Sequence, residues 1–228
     1  MRKENVIVAP SLLAADFLHL DEEMQRLLDS GVKWLHYDVM DGHFVPNISF
    51  GAGILKKLKD NYDFYYDVHI MVSNPESSAK KLIDAGADLI TFHYEATDDP
   101  IFTIEKIRSY SSDIKVGMSI KPMTSVDEVI EYLDKLDLLL VMSVEPGAGG
   151  QKFNLEALDK IEQLRSYIDE NGLDCLVEVD GGINDQTGSD AVLAGADVLV
   201  SGTYIFNSLD IQESIDKLIE VDDYDENY

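Results

Sequence analysis

In the stretch His36-Tyr37-Asp38-Val39-Met40-Asp41-Gly42-His43-Phe44-Val45-Pro46-Asn47, an apolar run ends in an imidazole, a carboxylate and a thioether at alternating positions. Side chains at i and i+2 of an extended strand point to the same side, so His36, Asp38 and Met40 share one face while Tyr37 and Val39 take the other. Asp41-Gly42 breaks the strand, and Pro46 and Asn47 keep the chain irregular until a helix begins near Gly51. The same parity in Asp67-Val68-His69-Ile70-Met71 puts His69 beside Met71, and a further strand ends Glu178-Val179-Asp180-Gly181-Gly182. Two imidazole nitrogens and two carboxylate oxygens, from His36, Asp38, His69 and Asp180, form a competent ligand set for one divalent metal ion, whether Zn, Fe, Mn or Co. Each residue alone reads more simply as a satisfied polar group. Four of them at strand ends point to a metal.

Glycine-rich turns follow other strands. Glu145-Pro146-Gly147-Ala148-Gly149-Gly150-Gln151 places three glycines in four residues, so that backbone N–H groups can approach an anion closely. Asp180-Gly181-Gly182-Ile183 leads into a helix, and Ser201-Gly202-Thr203 follows the last strand. One such loop is weak evidence for a phosphate site; three at adjacent strand ends are much stronger.

The elements that must position these groups alternate from end to end. Strands are predicted at 6–10, 33–38, 64–71, near 89–90, 114–120, 138–144, 176–180 and 198–201. Helices are predicted at 19–29, 53–60, 75–84, 100–109, 125–134, 155–170, 185–193 and 210–220. Ala85-Gly86-Ala87-Asp88 and its near copy Ala194-Gly195-Ala196-Asp197 each close a helix on Gly and open an apolar strand. Near-continuously apolar strands separated by helices imply a parallel sheet covered on both faces, and eight units favour an α/β fold of the closed (β/α)8 TIM-barrel type. Catalytic groups of such a barrel sit at the C-terminal ends of its strands, and phosphate is often held after strands seven and eight.

At 228 residues a single barrel domain over 1–220 is expected, with an acidic C-terminal tail over 221–228 to which no function is assigned. Eighteen Lys+Arg against 44 Asp+Glu give a formal charge of −26, which argues against nucleic acid and anionic membranes as partners. A phosphorylated ligand would have to be held by local backbone amides and helix N-termini. No apolar run approaches the roughly 20 residues of a membrane helix, and Met1-Arg2-Lys3-Glu4 leads straight into a strand, so a cytoplasmic location is expected. The lone Cys175 opens an apolar strand and reads as packing.

The segments Pro10 to Phe17, His36 to Asn47, Asp67 to Val72, Val144 to Phe153 and Glu178 to Ile183 together resemble the ribulose-phosphate 3-epimerases, in that family's order and over essentially the whole chain. The resemblance implies a barrel of the ribulose-phosphate binding type, a catalytic divalent metal and a phosphorylated ketose substrate. The implied reaction interconverts D-ribulose 5-phosphate and D-xylulose 5-phosphate by two-base proton transfer at C3 through a metal-stabilised enediolate, a step of the pentose phosphate pathway. By the same carry-over His36, Asp38, His69 and Asp180 hold the metal, Asp38 and Asp180 are the acid/base pair, and Ser11 and His69 touch substrate. Gly147, Ala148, Gly149, Gly150, Gly181, Gly182, Gly202 and Thr203 would surround the phosphate end. Inverting a carbon beside a carbonyl does need two acid/base groups flanking it, and two carboxylates near one cation must titrate together. Met40, Met71 and Met142 would form an apolar collar that excludes water, although Met also fills ordinary core gaps.

Among the remaining polar residues, Asp41 and His43 read as turn stabilisers, and Asp67 and Glu178 as partners that orient ligands. His93 and Glu95 either line the pocket or bond to neighbouring loops. Lys56-Lys57 and Lys80-Lys81 read as solvated, and Trp34 packs in the barrel interior. The chain departs from the family in carrying Ala148 where Phe is common, and Thr203-Tyr204 in place of a Ser-Ala pair, which makes D-allulose-6-phosphate 3-epimerase the nearest rival. A Schiff-base aldolase using Lys121 and a phosphosugar-binding module without turnover are rivals of other classes. Barrels of this kind often associate through helices, so a homo-oligomer is allowed.

Overall fold

Strand ends that carry chemistry need a sheet buried on both faces. In the computed structural model, which describes residues 6–220, eight parallel strands supply it. They are β1 (Ile7–Pro10), β2 (Trp34–Met40), β3 (Tyr65–Met71), β4 (Leu89–His93), β5 (Lys115–Ile120), β6 (Leu138–Met142), β7 (Leu176–Asp180) and β8 (Val198–Ser201). The ladders run β1-β8-β7-β6-β5-β4-β3-β2, and a single parallel bridge, Ser11 to His36, closes the ring between β1 and β2. The expected barrel is therefore formed. The acidic tail expected at 221–228 and the first five residues lie outside the described residues.

Strand parity separates two cores. Outward residues such as Val8, Tyr37, Val68, Phe92, Met118, Val141, Val179 and Leu199 pack under the helices, and each large apolar side chain buried there contributes about 1.5–3 kcal/mol. Inward residues Ala9, Leu89, Leu138, Leu140, Met142, Val198 and Val200 fill the barrel, with Trp34 stacked on Tyr65 at 4.3 Å toward its base, as its parity predicts. The covering helices are α1 (Leu20–Asp29), α2 (Ala52–Asn61), α3 (Pro75–Asp84), α4 (Pro100–Arg108), α5 (Glu156–Asn171), α6 (Asp185–Ala194), α7 (Thr203–Phe206) and α8 (Ile211–Ile219). None is long and apolar enough to cross a membrane.

Three of the predicted elements take a different form or extent. The helix expected over 125–134 is two 3₁₀ turns, Val126–Glu128 and Ile130–Lys135. Ser125 and Glu128 do form a capping box, but the buried positions Val126, Val129, Leu133 and Leu136 advance mostly in threes, the period of the tighter helix. Strand β2 runs through Met40, two residues beyond expectation, because Ser49 lies alongside: its hydroxyl accepts from Met40 N–H and donates to Asp38 C=O. Strand β6 stops at Met142, since the Ser143 side chain turns aside to Gly181 C=O.

The base of the barrel is pinned by a device on alternate strands. Asp88, Asp137 and Asp197 precede β4, β6 and β8, and each carboxylate accepts the backbone N–H of the second residue of a neighbouring strand, Tyr66, Val116 and Val177 respectively, at 2.8–2.9 Å. Each also takes a cation, from Lys59, from Lys115 with Arg108, and from Arg165. These contacts hold strand register at the end away from the chemistry.

Candidate active site

At the opposite end the inward face of β2 carries Trp34, His36, Asp38 and Met40, and β3 in register carries Tyr65, Asp67, His69 and Met71. Asp180 arrives from the tip of β7. One potential ligand atom from each of His36, Asp38, His69 and Asp180 lies within 4.8 Å of the others, as the parity argument requires. His36 and His69 are completely buried, whereas Asp38 and Asp180 reach the floor of the cavity above them.

The hydrogen bonds fix how each group presents itself. His36 Nδ1 lies 2.5 Å from Asp67 Oδ2, which leaves its Nε2 buried without a hydrogen-bond partner, 3.3 Å from Asp38 Oδ1. His69 Nδ1 is 3.0 Å from the same Asp38 oxygen. Ser11 donates its hydroxyl to Asp38 Oδ2 at 2.8 Å. An orphaned imidazole nitrogen and a second one converging on a buried carboxylate oxygen suit a small cation, so the residues present fit a divalent metal with nitrogen and oxygen donors. Asp67 contacts His36 rather than its strand-mate His69. Glu178 sits beneath, 3.7 Å from His36 Nδ1, with neither carboxylate oxygen hydrogen-bonded.

The two acid/base candidates are pushed apart electrostatically. Burial works against ionising Asp38, but His36 above all, with His69, holds its carboxyl well below the usual range. Asp180 is raised instead, by burial and then by the Asp38 charge, to about 6. Burial favours neutral His36, yet the Asp67 and Asp38 carboxylates outweigh it and lift its pKa well above the ordinary value. Glu178 is also raised well above the usual carboxyl range, by burial and then by Asp67.

Above the four groups opens a cavity of about 1130 Å³. All the remaining predicted substrate residues line it: Ser11, Met40, Met71, Met142, Gly147, Ala148, Gly149, Gly150, Gly181, Gly182, Gly202 and Thr203. Among the described residues, the backbone amides of Gly149, Gly150 and Gly182 have no hydrogen-bond acceptor. Asn47 donates to Gly147 C=O at 2.7 Å, and Gln151 donates to Glu145 C=O and Ala148 C=O at 2.8 Å, so the glycine loop is held from two sides. Met40 and Met71 pack with Val45 at the rim, and Met142 belongs to the interior core while still lining the cavity.

Other expectations fall into place around it. Asp41 accepts from His43 and Phe44 N–H on one oxygen and from Ser73 N–H on the other, a turn stabiliser. Lys121 lays its ammonium 4.5 Å from the Phe44 ring centre and is not among the residues lining the cavity, so the lysine named for a Schiff base does not face it. Lys56 and Lys80 make exposed i,i+4 ion pairs. Glu95 bonds to the loop after β5 through Lys121 N–H and the Thr124 hydroxyl, while His93 bonds to Glu95 and, unforeseen from sequence, to His69, Nε2 to Nε2 at 2.8 Å. Burial draws the His93 pKa down to about 4, against the hydrogen bond to Glu95. Asn184, Thr187, Tyr204 and Asn207 also line the cavity; Thr203–Phe206 forms a short helix that a four-residue apolar run did not signal.

Comparison with known proteins agrees with this geometry. A profile of the ribulose-phosphate 3 epimerase family matches residues 7–206. The ribulose-phosphate 3-epimerase of Mycobacterium tuberculosis (strain ATCC 25618 / H37Rv) is 44% identical over 204 residues, covering 90% of this chain and 87% of that one. That of Schizosaccharomyces pombe is 44% identical over 215 residues, covering 92% and 91%. Among solved structures, 3-hexulose-6-phosphate synthase from Salmonella typhimurium superimposes with a TM-score of 0.68 at 19% identity, over 95% of this chain and 98% of that one, a likeness of fold.

Proposed function

The chain belongs to the ribulose-phosphate 3-epimerase family, and from that premise we propose that it interconverts D-ribulose 5-phosphate and D-xylulose 5-phosphate, with Asp38 and Asp180 as the two acid/base groups. The observation that carries this reading is the pair itself. Asp38 and Asp180 come from β2 and β7, which are not neighbours in the ring, and approach one point beneath the cavity. Two carboxyl groups reaching a substrate from different strands can act on opposite faces of one carbon.

His36, Asp38, His69 and Asp180 would hold a divalent cation, which would supply Lewis acidity and make the C–H beside the substrate carbonyl more acidic. Asp38, ionised and steadied by Ser11, takes the proton from C3. Asp180 returns a proton to C3 from the other face, and the two exchange roles in the reverse direction. The thioethers of Met40, Met71 and Met142 exclude water without offering an exchangeable proton. The free amides of Gly149, Gly150 and Gly182 bind the phosphate, which a protein carrying a formal charge of −26 must hold by local contacts. We read residues 1–220 as one catalytic domain and place it in the cytoplasm, with no nucleic-acid or membrane partner.

A six-carbon substrate such as D-allulose 6-phosphate is the second reading. It is favoured by the small side chain of Ala148 at the cavity wall. The test is epimerisation of D-ribulose 5-phosphate in D₂O by metal-replete, chelator-stripped and Asp38→Asn protein. Metal-dependent xylulose 5-phosphate carrying deuterium at C3, absent with Asp38→Asn, is the expected result. No turnover by replete protein would sink the pentose assignment and send the search to allulose 6-phosphate.

A further inference from the structure

His69 has a partner at each ring nitrogen: Asp38 Oδ1 at 3.0 Å from Nδ1 and His93 Nε2 at 2.8 Å from Nε2. A hydrogen bond between two neutral imidazoles needs one donor and one acceptor, so the proton positions of the two rings are tied together. Beyond them, His93 Nδ1 lies 3.2 Å from Glu95 Oε2. Glu95 Oε1 is already committed as an acceptor, to the Lys121 N–H at 2.8 Å and to the Thr124 hydroxyl. The row from Glu95 to Asp38 therefore has a carboxylate at each end and two completely buried imidazoles between.

The ends are not equivalent. Asp38 receives the Ser11 hydroxyl and lies beside His36 Nε2, whereas the only donor to Glu95 Oε2 among the described residues is the His93 ring. A carboxylate acceptor at 3.2 Å calls for an N–H on His93 Nδ1, which leaves a lone pair on its Nε2. His69 must then donate from Nε2 and present a lone pair at Nδ1, toward the cation position. The opposite arrangement would turn a lone pair of His93 onto the Glu95 carboxylate in a buried site.

We propose that Glu95 and His93 are positioning residues that fix the tautomer of His69, so that its Nδ1 is ready to bind a metal. This rests on the cation site of the proposed function. It also accounts for a difference between the two histidine ligands. His36 bonds a carboxylate directly through Nδ1 and offers Nε2; His69 reaches its carboxylate through an intervening imidazole and offers Nδ1. Phe44 packs on the His93 ring at 4.8 Å and shields the connection from solvent.

The test uses Zn²⁺ as the probe with the full chain and the variant Glu95→Gln. The carboxamide of that variant would keep its oxygen toward Lys121 N–H and Thr124 and turn its NH₂ toward His93, reversing the preferred direction of the row. Zn²⁺ affinity measured by chelator competition should fall about 10–100-fold. Two-bond ¹H–¹⁵N spectra of Zn²⁺-loaded wild-type protein should show His93 protonated at Nδ1 and His69 at Nε2. A merely structural role for Glu95 would lower the melting temperature of the metal-free variant without moving affinity. His93 protonated at Nε2 in the loaded protein, or a Zn²⁺ affinity within about twofold of wild type in Glu95→Gln, would overturn the proposal. If the variant does not fold, the wild-type tautomers decide alone. If wild-type protein binds no Zn²⁺, Co²⁺ or Mn²⁺, the cation site itself falls, and the proposal with it.

Discussion

Gly182→Ala offers a quantitative test of the phosphate end of the site. Gly182 has φ +65°, where a side chain costs about 1–2 kcal/mol. A Cβ there would lie 2.3 Å from Phe153 N and 2.9 Å from Gln151 O and Phe153 Cα. All three are backbone atoms, so no rotamer change relieves the contact. Restoring ordinary separation moves the segment around Gln151–Phe153 by about 1 Å. That segment is continuous with Gly147–Gly150, and misplacing a binding loop by such a distance costs about 10²-fold in rate. We expect kcat/KM for D-ribulose 5-phosphate to fall about 10²-fold, inhibition by inorganic phosphate to weaken in step, and Tm to drop by about 2–8 °C. The matched control is Gly172→Ala at the end of α5, where φ is +61° and a Cβ would meet nothing within 4 Å. It carries the backbone strain alone, so it should lower Tm with kinetics unchanged. Gly182→Ala with kcat/KM within about threefold of wild type, or an equal kinetic loss in Gly172→Ala, would refute the reasoning.

Two further outcomes can be checked without substrate. Burial, with Asp137 nearby, pushes the Cys175 thiol up to about 12, so a maleimide at about pH 7 should leave native protein unlabelled and modify it once denatured. Glu95 is held down to about 2: burial opposes this, but hydrogen bonds from His93, Thr124 and Lys121 prevail over it. Its contribution to stability is complete above its unfolded value near 4.5 and disappears as pH falls toward 2. Discounted for a side chain 21% exposed, it amounts to about 1–2 kcal/mol, and denaturant midpoints of Glu95→Gln should be flatter than wild type across that window.

Strand parity carried most of the site into view before any coordinates. His36, Asp38, His69 and Asp180 are inward residues of β2, β3 and β7, and alternation alone orders them along each strand. What alternation cannot give is which strands face each other across the ring. The pairing of His36 with Asp67 and the contact of His93 with His69 depend on the stagger between neighbouring strands, in which Asp38 sits beside His69 and His69 beside Thr91. The odd parity of His93 at the end of β4 was the available signal. The 3₁₀ turns at Val126–Lys135 were misread because a capping box announces a helix start without stating its pitch. The Asp88, Asp137 and Asp197 anchors were half visible, as the repeated Ala-Gly-Ala-Asp, but their hydrogen bonds reach a neighbouring strand that sequence does not identify.

The way the ring closes has a consequence for the chain as it is made. β1 is laddered to β8, and among the described residues only the Ser11–His36 bridge joins it to β2. On the ribosome the first strand therefore waits for the last, about 10–40 s at ordinary elongation rates. Throughout that interval β1 and the outer side of β2 are unpaired edges, and β2 carries the apolar Leu35, Tyr37 and Val39. A product cut short before Val198 keeps the β2 to β7 ladders but leaves β1 and the outer edge of β7 without their partner, which exposes it to aggregation and proteolysis.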